Sequence, residues 1–212
     1  MDNPHRTCEP VGLGPEPRAA AATVVAVHGR GQTPHYMIEF FVERIGNPDI
    51  SWVLPAAAGQ SWYPNGFMVP LEQNQPSFDH TLEVMAAVEK SLAGVPPERV
   101  VWAGFSQGAC VACEHVARNP GRRGGLLVLT GGRAGPPGTD LSIGGGLDGM
   151  PVYFGVGDAD DWVPVSRVIE TADAFASAGA EVGVDIFTGR DHEISDDEIR
   201  KSAAIIGAAA AS

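Results

Sequence analysis

The residues most able to do chemistry in this chain form one short run, Gly104-Phe105-Ser106-Gln107-Gly108. It follows the apolar stretch Val100–Ala103 and precedes the helical pattern Gln107–Arg118. Glycines two positions either side of a serine let backbone pass close to a sharp strand-to-helix turn, which projects the hydroxyl at the head of a helix. The positive end of that helix favours developing negative charge. In so glycine-rich a chain the bare G-x-S-x-G pattern would arise by chance roughly 0.2 times, so its weight comes from the strand–turn–helix setting. A serine in such a turn is a nucleophile that needs a base. His5, His28, His35, His80, His115 and His192 are the candidates. His5 lies near the start, and His80 and His115 fall inside helical patterns. His192, in Gly189-Arg190-Asp191-His192-Glu193, follows the last strand pattern and is the expected general base.

An acid that orients the imidazole should follow the strand lying between serine and histidine in the chain. Three aspartates compete in Gly157-Asp158-Ala159-Asp160-Asp161-Trp162-Val163-Pro164. Asp160 is preferred, then Asp161, then Asp158, and at least one of them is expected only to be solvated or to cap the helix near Pro164. The first strand runs into His28-Gly29-Arg30-Gly31-Gln32. The backbone N–H groups of Arg30 and Gln107 are the expected oxyanion donors, with His28 bracing the loop. The Arg30 side chain either meets an acidic group of the substrate or faces solvent. Trp62, Tyr63, Phe67 and Met68 read either as the aromatic wall of a substrate pocket or as a loop folded onto the core. Cys110 and Cys113 form C-x-x-C, but no second cysteine or histidine pair stands at zinc-ligand spacing, so two small buried residues on a helix face are expected.

These groups need elements that carry them to one place. Six β-rich runs stand out: Thr23–Val27, Ser51–Leu54, Val100–Ala103, Leu126–Leu129, Val152–Val156 and Val182–Phe187. Most are continuously apolar, as strands buried on both faces of a parallel sheet are. Between them lie helical patterns. Phe78, Leu82, Met85, Val88 and Leu92 make one stripe. Val165, Val168, Ile169, Ala172 and Phe175 make another, and Tyr36–Arg44 is a further candidate. Ser195 with Glu198 is a capping box ahead of the stripe Ile199, Ala203, Ile206. Alternating strands and helices predict an α/β fold, a mostly parallel doubly wound sheet flanked by helices, with chemistry at the carboxyl ends of the strands. Residues 1–20 are expected as a loosely ordered lead-in and 21–212 as a single domain. The glycine-rich stretch Gly131–Gly149 is expected as a long loop and a candidate mobile segment.

Composition narrows the function classes. The chain has 212 residues and a net charge of -12, which disfavours nucleic acid or an anionic bilayer surface as partner. The apolar stretch Ala19–Val27 is far shorter than the ~20 residues of a membrane span. The polar, proline-rich start shows no secretory h-region, and Cys8, Cys110 and Cys113 make no disulfide framework, so a cytoplasmic location is expected. Glycine (27 residues) and proline (17) are in excess, and many of the glycines fall at turns where strands end.

With these pieces together the chain resembles the phospholipase/carboxylesterase family of small α/β-hydrolases, which includes acyl-protein thioesterases. The resemblance rests on His28-Gly29-Arg30-Gly31, Gly104-Phe105-Ser106-Gln107-Gly108-Ala109, Gly157-x-x-Asp160-x-x-Val163-Pro164 and Gly189-x-x-His192-Glu193, and runs from about residue 22 to 206. It implies an α/β-hydrolase fold with no large lid and hydrolysis of esters or thioesters without metal or cofactor. It favours Asp160 as the acid. Many members dimerise, so a homodimer is a possible assembly. Thr130-Gly131-Gly132 stands where the family has Ser-Gly-Gly. Two further departures lie near the expected acyl pocket. Many members have leucine where Arg30 stands, and Ser61-Trp62-Tyr63-Pro64 replaces a common Trp-Phe-Asp, which turns the expectation from long-chain lipid or palmitoyl-protein substrates toward small or medium acyl groups. The leading reading is a Ser106–His192–Asp160 serine hydrolase working through an acyl-enzyme. The alternative is the same fold used for binding or non-hydrolytic conversion of a small cyclic metabolite. A dienelactone-type hydrolase, which carries a cysteine nucleophile, is disfavoured by Ser106.

Overall fold

The computed structural model describes residues 2–212. Seven strands form one sheet: β1 (Val11–Leu13), β2 (Ala22–Val27), β3 (Ile50–Leu54), β4 (Val100–Phe105), β5 (Gly125–Leu129), β6 (Pro151–Gly157) and β7 (Glu181–Phe187). Their spatial order is β1-β3-β2-β4-β5-β6-β7, with only β1 antiparallel to its neighbour. Strands β2, β4 and β5 are buried at every position, which explains their unbroken apolar runs. The edge strand β7 alternates between half-buried and exposed residues along most of its length.

Side chains alternate across the sheet and divide the core in two. Val25, Val27 and Trp102 join the layer beneath α3 (Ser77–Ser91), α4 (Gln107–Arg118) and α5 (Val165–Ser177). Val24, Ala26, Val101, Ala103 and Phe105 face Met37 and Phe41 and the helix α6 (Asp196–Ala210). The segment expected as a helix over Tyr36–Arg44 is helical throughout, with a π-helical turn inside it. It is α1 (Pro34–Met37), a π-helical turn at Ile38–Val42 and α2 (Glu43–Ile45). The capping box is formed: the Ser195 N–H donates to Glu198 Oε2 at 2.8 Å, and Glu198 N–H donates back to Ser195 Oγ at 3.3 Å.

Helix α4 is buried from Gln107 to Ala117. Its small residues let it lie close against the sheet. A Cβ on Gly104 would collide with the Gly108 carbonyl, and one on Gly108 with the carbonyls of Val27 and His28. These two glycines therefore bring β2, β4 and the start of α4 into direct backbone approach. Register does the rest. Val27 pairs with Gly104, Phe105 with Leu129, and Gly157 with Phe187, so the loops after β2, β4, β6 and β7 emerge along one edge.

The start of the chain departs from its expectation, and the long loop expected at Gly131–Gly149 is present with anchors to the body. The lead-in carries regular structure over Pro4–Thr7 and Val11–Leu13. Pro4–Thr7 forms a 3-10 turn with His5 buried, and β1 pairs with β3 from Val11↔Leu54 to Leu13↔Trp52. The pattern was too short to read: three residues containing a glycine carry no periodicity. The stretch Gly131–Gly149 is stitched to the body. Arg133 donates to Glu114 on α4 and to the Leu141 carbonyl. Buried Arg167 donates to the carbonyls of Arg133 and Gly135, and Leu147 is buried.

Candidate active site

The turn after β4 places Ser106 at φ 56°, ψ -121°, a backbone region that costs a non-glycine residue of order 1–3 kcal/mol. Surrounding structure holds it there: the Ser106 N–H donates to the Leu129 carbonyl at 3.0 Å, and the Cys110 N–H donates to the Ser106 carbonyl at 3.1 Å. Ser106 Oγ lies 2.7 Å from His192 Nε2, and His192 Nδ1 lies 2.7 Å from Asp160 Oδ2. A carboxylate only accepts, so Nδ1 carries the proton and the Nε2 lone pair faces the serine hydroxyl. The Asp160 side chain is fully buried and that of His192 is 22% exposed. Phe105 packs on the imidazole, with ring centroids 4.9 Å apart.

The three competing aspartates are separated by what they touch. Asp160 Oδ1 accepts the N–H groups of Trp162 (2.7 Å) and Val163 (3.0 Å), leaving Oδ2 for His192. Asp158 accepts the Gly189 N–H at 2.6 Å and so ties the β6 loop to the loop that bears His192. Asp161 is exposed.

The backbone N–H of Gln107 sits in the first turn of α4, where helix donors lack intrahelical partners. Among the described residues, neither this group nor the N–H of Arg30 donates to a protein acceptor. His28 braces the Arg30 loop, as expected. Its Nδ1–H donates to the Gly29 carbonyl at 2.7 Å, and its Nε2 accepts from Ala57 N–H at 3.1 Å. Burial pushes the His28 pKa down, which keeps the ring neutral as this pairing requires. The Gly29 N–H donates to Gln32 Oε1 at 2.9 Å, and the Gly31 N–H to the Gln60 carbonyl at 2.7 Å.

The Gln107 side chain is a second brace. Its Oε1 accepts from Trp62 N–H (2.9 Å), and its Nε2 donates to the Tyr63 carbonyl (2.8 Å). Trp62 is wholly buried, its indole N–H on the His28 carbonyl at 2.8 Å. His5 Nε2 and Thr81 Oγ1 both reach the Trp62 carbonyl, at 3.1 and 2.7 Å.

These loops enclose a cleft of about 300 Å³ over Ser106 and His192. Tyr63 and Phe67 line it, together with Arg30 and Gln107. Trp62 and Met68, expected in the same wall, do not: Trp62 turns into the core and Met68 packs against it. Residues not anticipated from sequence are Gln32, Gly66, Cys110, Trp162 and Val163. Cys110 lies one helical turn beyond Ser106, and burial raises its thiol pKa to about 12, so it is an inert floor and not a second nucleophile. Trp162 is 74% exposed at the mouth, and its position between Asp160 and Val163-Pro164 was the available signal.

A family model of phospholipases and carboxylesterases matches residues 14–208. The chain belongs to the phospholipase/carboxylesterase family. It is accordingly an enzyme of the carboxylesterase/thioesterase type on an α/β-hydrolase fold. A phospholipase/carboxylesterase from Dyadobacter fermentans is 33% identical, with a TM-score of 0.86 over 94% of this chain and 96% of that one. Acyl-protein thioesterase 1 of Saccharomyces cerevisiae is 26% identical over 211 residues, 88% of this chain and 92% of the yeast protein. The esterase PE8 shares the fold at a TM-score of 0.74 and 23% identity, over 94% of this chain and 98% of its own. Among the described residues of this phospholipase/carboxylesterase family member, no helix is long and apolar enough to cross a membrane.

Proposed function

We propose that the protein cleaves carboxylic esters or thioesters of small or medium acyl groups through a Ser106–His192–Asp160 triad and an acyl-enzyme. The observation that carries the reading is the unbroken chain Ser106 Oγ, His192 Nε2, His192 Nδ1, Asp160 Oδ2, with both links at 2.7 Å, opening on the cleft. Ser106 Oγ attacks the acyl carbon while His192 Nε2 takes its proton. Asp160 holds the imidazole in the Nδ1–H tautomer and stabilises the imidazolium. The amides of Arg30 and Gln107 receive the oxyanion, supported by their lack of other acceptors. His192 then returns the proton to the departing alcohol or thiol. Water, activated by the same base, releases the acid from Ser106.

A cleft of about 300 Å³ suits small and medium acyl groups. Three thiols that form no disulfide fit a reducing cytoplasm. The test is fluorophosphonate labelling with peptide mapping, beside turnover of 4-nitrophenyl acetate and butyrate. Labelling at Ser106 that Ser106→Ala abolishes together with turnover is expected. Folded protein that neither labels at Ser106 nor turns over either ester would return the cleft to the binding reading.

A further inference from the structure

The cleft has two banks. The loops after β6 and β7 supply Trp162, Val163 and His192 on one side of the β4 turn, and the loops after β2 and β3 supply Arg30, Gln32, Tyr63, Gly66 and Phe67 on the other, with Ser106, Gln107 and Cys110 between them. His192 must reach the leaving group to protonate it, so the alcohol or thiol departs along the first bank and the acyl group extends along the second. That second bank carries a fixed cation. The Arg30 guanidinium donates to the carbonyls of Pro64 and Asn65 and stands over the Tyr63 ring, 5.9 Å from its centroid. The carbonyls are themselves held, because Asn74, fully buried, takes the Asn65 N–H at 2.8 Å and donates to the Gly66 carbonyl at 3.0 Å.

Carbonyl partners orient a guanidinium without neutralising it. Several arginines of this acidic chain, such as Arg44, Arg123, Arg133 and Arg190, sit against carboxylates; among the described residues Arg30, like Arg18 and Arg99, has none within ion-pair distance, but of these three it is the one that lines the cleft. Two of its five N–H groups meet the carbonyls, so others remain for a ligand. The opposite bank has the other sign in its neighbourhood: Asp161 precedes Trp162, Asp191 and Glu193 flank His192, and all three are exposed. An anionic group is therefore drawn to the acyl bank and repelled from the leaving-group bank.

We propose that Arg30 selects substrates whose acyl group ends in a carboxylate, that is, monoesters or monothioesters of dicarboxylic acids. The inference rests on the ester-cleaving reading above and adds the acid half of the substrate. The test compares mono-4-nitrophenyl adipate and suberate with their methyl-capped neutral counterparts, in the wild-type chain and in Arg30→Gln and Arg30→Lys. The wild type should favour at least one free carboxylate over its neutral counterpart by about tenfold in kcat/KM, as a charge-assisted hydrogen bond provides. Arg30→Gln should abolish that ratio and Arg30→Lys keep part of it, whatever either substitution does to both esters together through the oxyanion loop. Added salt should shrink the wild-type ratio, because Arg30 is exposed. A wild-type ratio near one on both chain lengths, or the same ratio in Arg30→Gln, overturns the proposal. Hydrolysis of the neutral esters reports separately on the ester-cleaving reading, so the two failures are distinguishable.

Discussion

Ser106, His192 and Asp160 meet through two 2.7 Å contacts, and the proposed mechanism needs all three together. Ser106→Ala, or Asp160→Asn, which leaves His192 in the wrong tautomer, should lower kcat by on the order of 10⁴-fold, measured with 4-nitrophenyl butyrate. Asp161→Asn should leave turnover within about twofold, because its side chain is exposed and outside the chain of contacts. Equal losses in both aspartate variants would refute the assignment. At this scale the sequence singled out Ser106 and His192 as candidates, through local motif and strand order, and the structure brings the two side chains to 2.7 Å. It ranked Asp160 first among three neighbours without separating them physically. What separates them is the direction each carboxylate takes: Asp158 turns to the Gly189 N–H, and Asp160 to the imidazole. Trp62 and Tyr63 make the same point. Adjacent in the chain, they face opposite ways, one into the core and one to the cleft.

Among the elements, the start of α4 lies backbone against backbone on the end of β2. Gly108→Ala would drive a methyl group into the backbone where β2 ends, a carbonyl that has no room to yield. A stability loss of about 3 kcal/mol or insoluble protein is the expected outcome, followed by urea unfolding. Gly207→Ala on the open face of α6 meets nothing within 4 Å and should be neutral or slightly stabilising. A second element-level strap lies behind His192. Buried Glu198 on α6 pairs with Arg190, two residues before His192, and accepts from both Ser195 N–H and Oγ. Arg190 also reaches Thr130 Oγ1 at 3.3 Å and covers the Phe187 ring. Removing one partner of a buried pair leaves the other charge without compensation. Glu198→Ala should therefore cost about 3 kcal/mol or more in unfolding and lower kcat by loosening the loop that bears His192. Unchanged stability would contradict the strap. The capping box was plain from Ser195 and Glu198 alone, since it is local. The Arg190 pairing was not, since it joins a loop to a helix face.

For the molecule as a whole, buried imidazoles tie the first residues to the cleft. His5 bridges the Trp62 carbonyl and the Ala58 N–H, and His28 bridges Gly29 and Ala57. Burial lowers both pKa values from 6.5. A histidine whose folded pKa is depressed binds its proton more readily when unfolded. Its contribution to stability is therefore complete above about pH 6.5 and is lost as pH falls from there through the folded pKa. Urea unfolding should show a lower midpoint at pH 5.5 than at pH 7.5, with a smaller difference in His5→Gln. An identical pH response in that variant would exclude His5 as a contributor.

The sequence by itself determined six of the seven strands and the main helices between them in chain order, the sharp serine turn, the loop that bears His192, the capping box and the family resemblance. Each is written in neighbouring residues or in a simple period, and burial on both faces of a parallel sheet makes such runs unmistakable. Only the tertiary structure decided which aspartate meets His192, that Trp62 and Met68 leave the cleft wall, that Val11–Leu13 joins the sheet, and that Arg30 lines the cleft on carbonyl partners with no carboxylate against it among the described residues. Those outcomes depend on the directions of side chains brought together from distant loops. Local pattern does not encode direction, which follows only when close packing leaves each group a single partner.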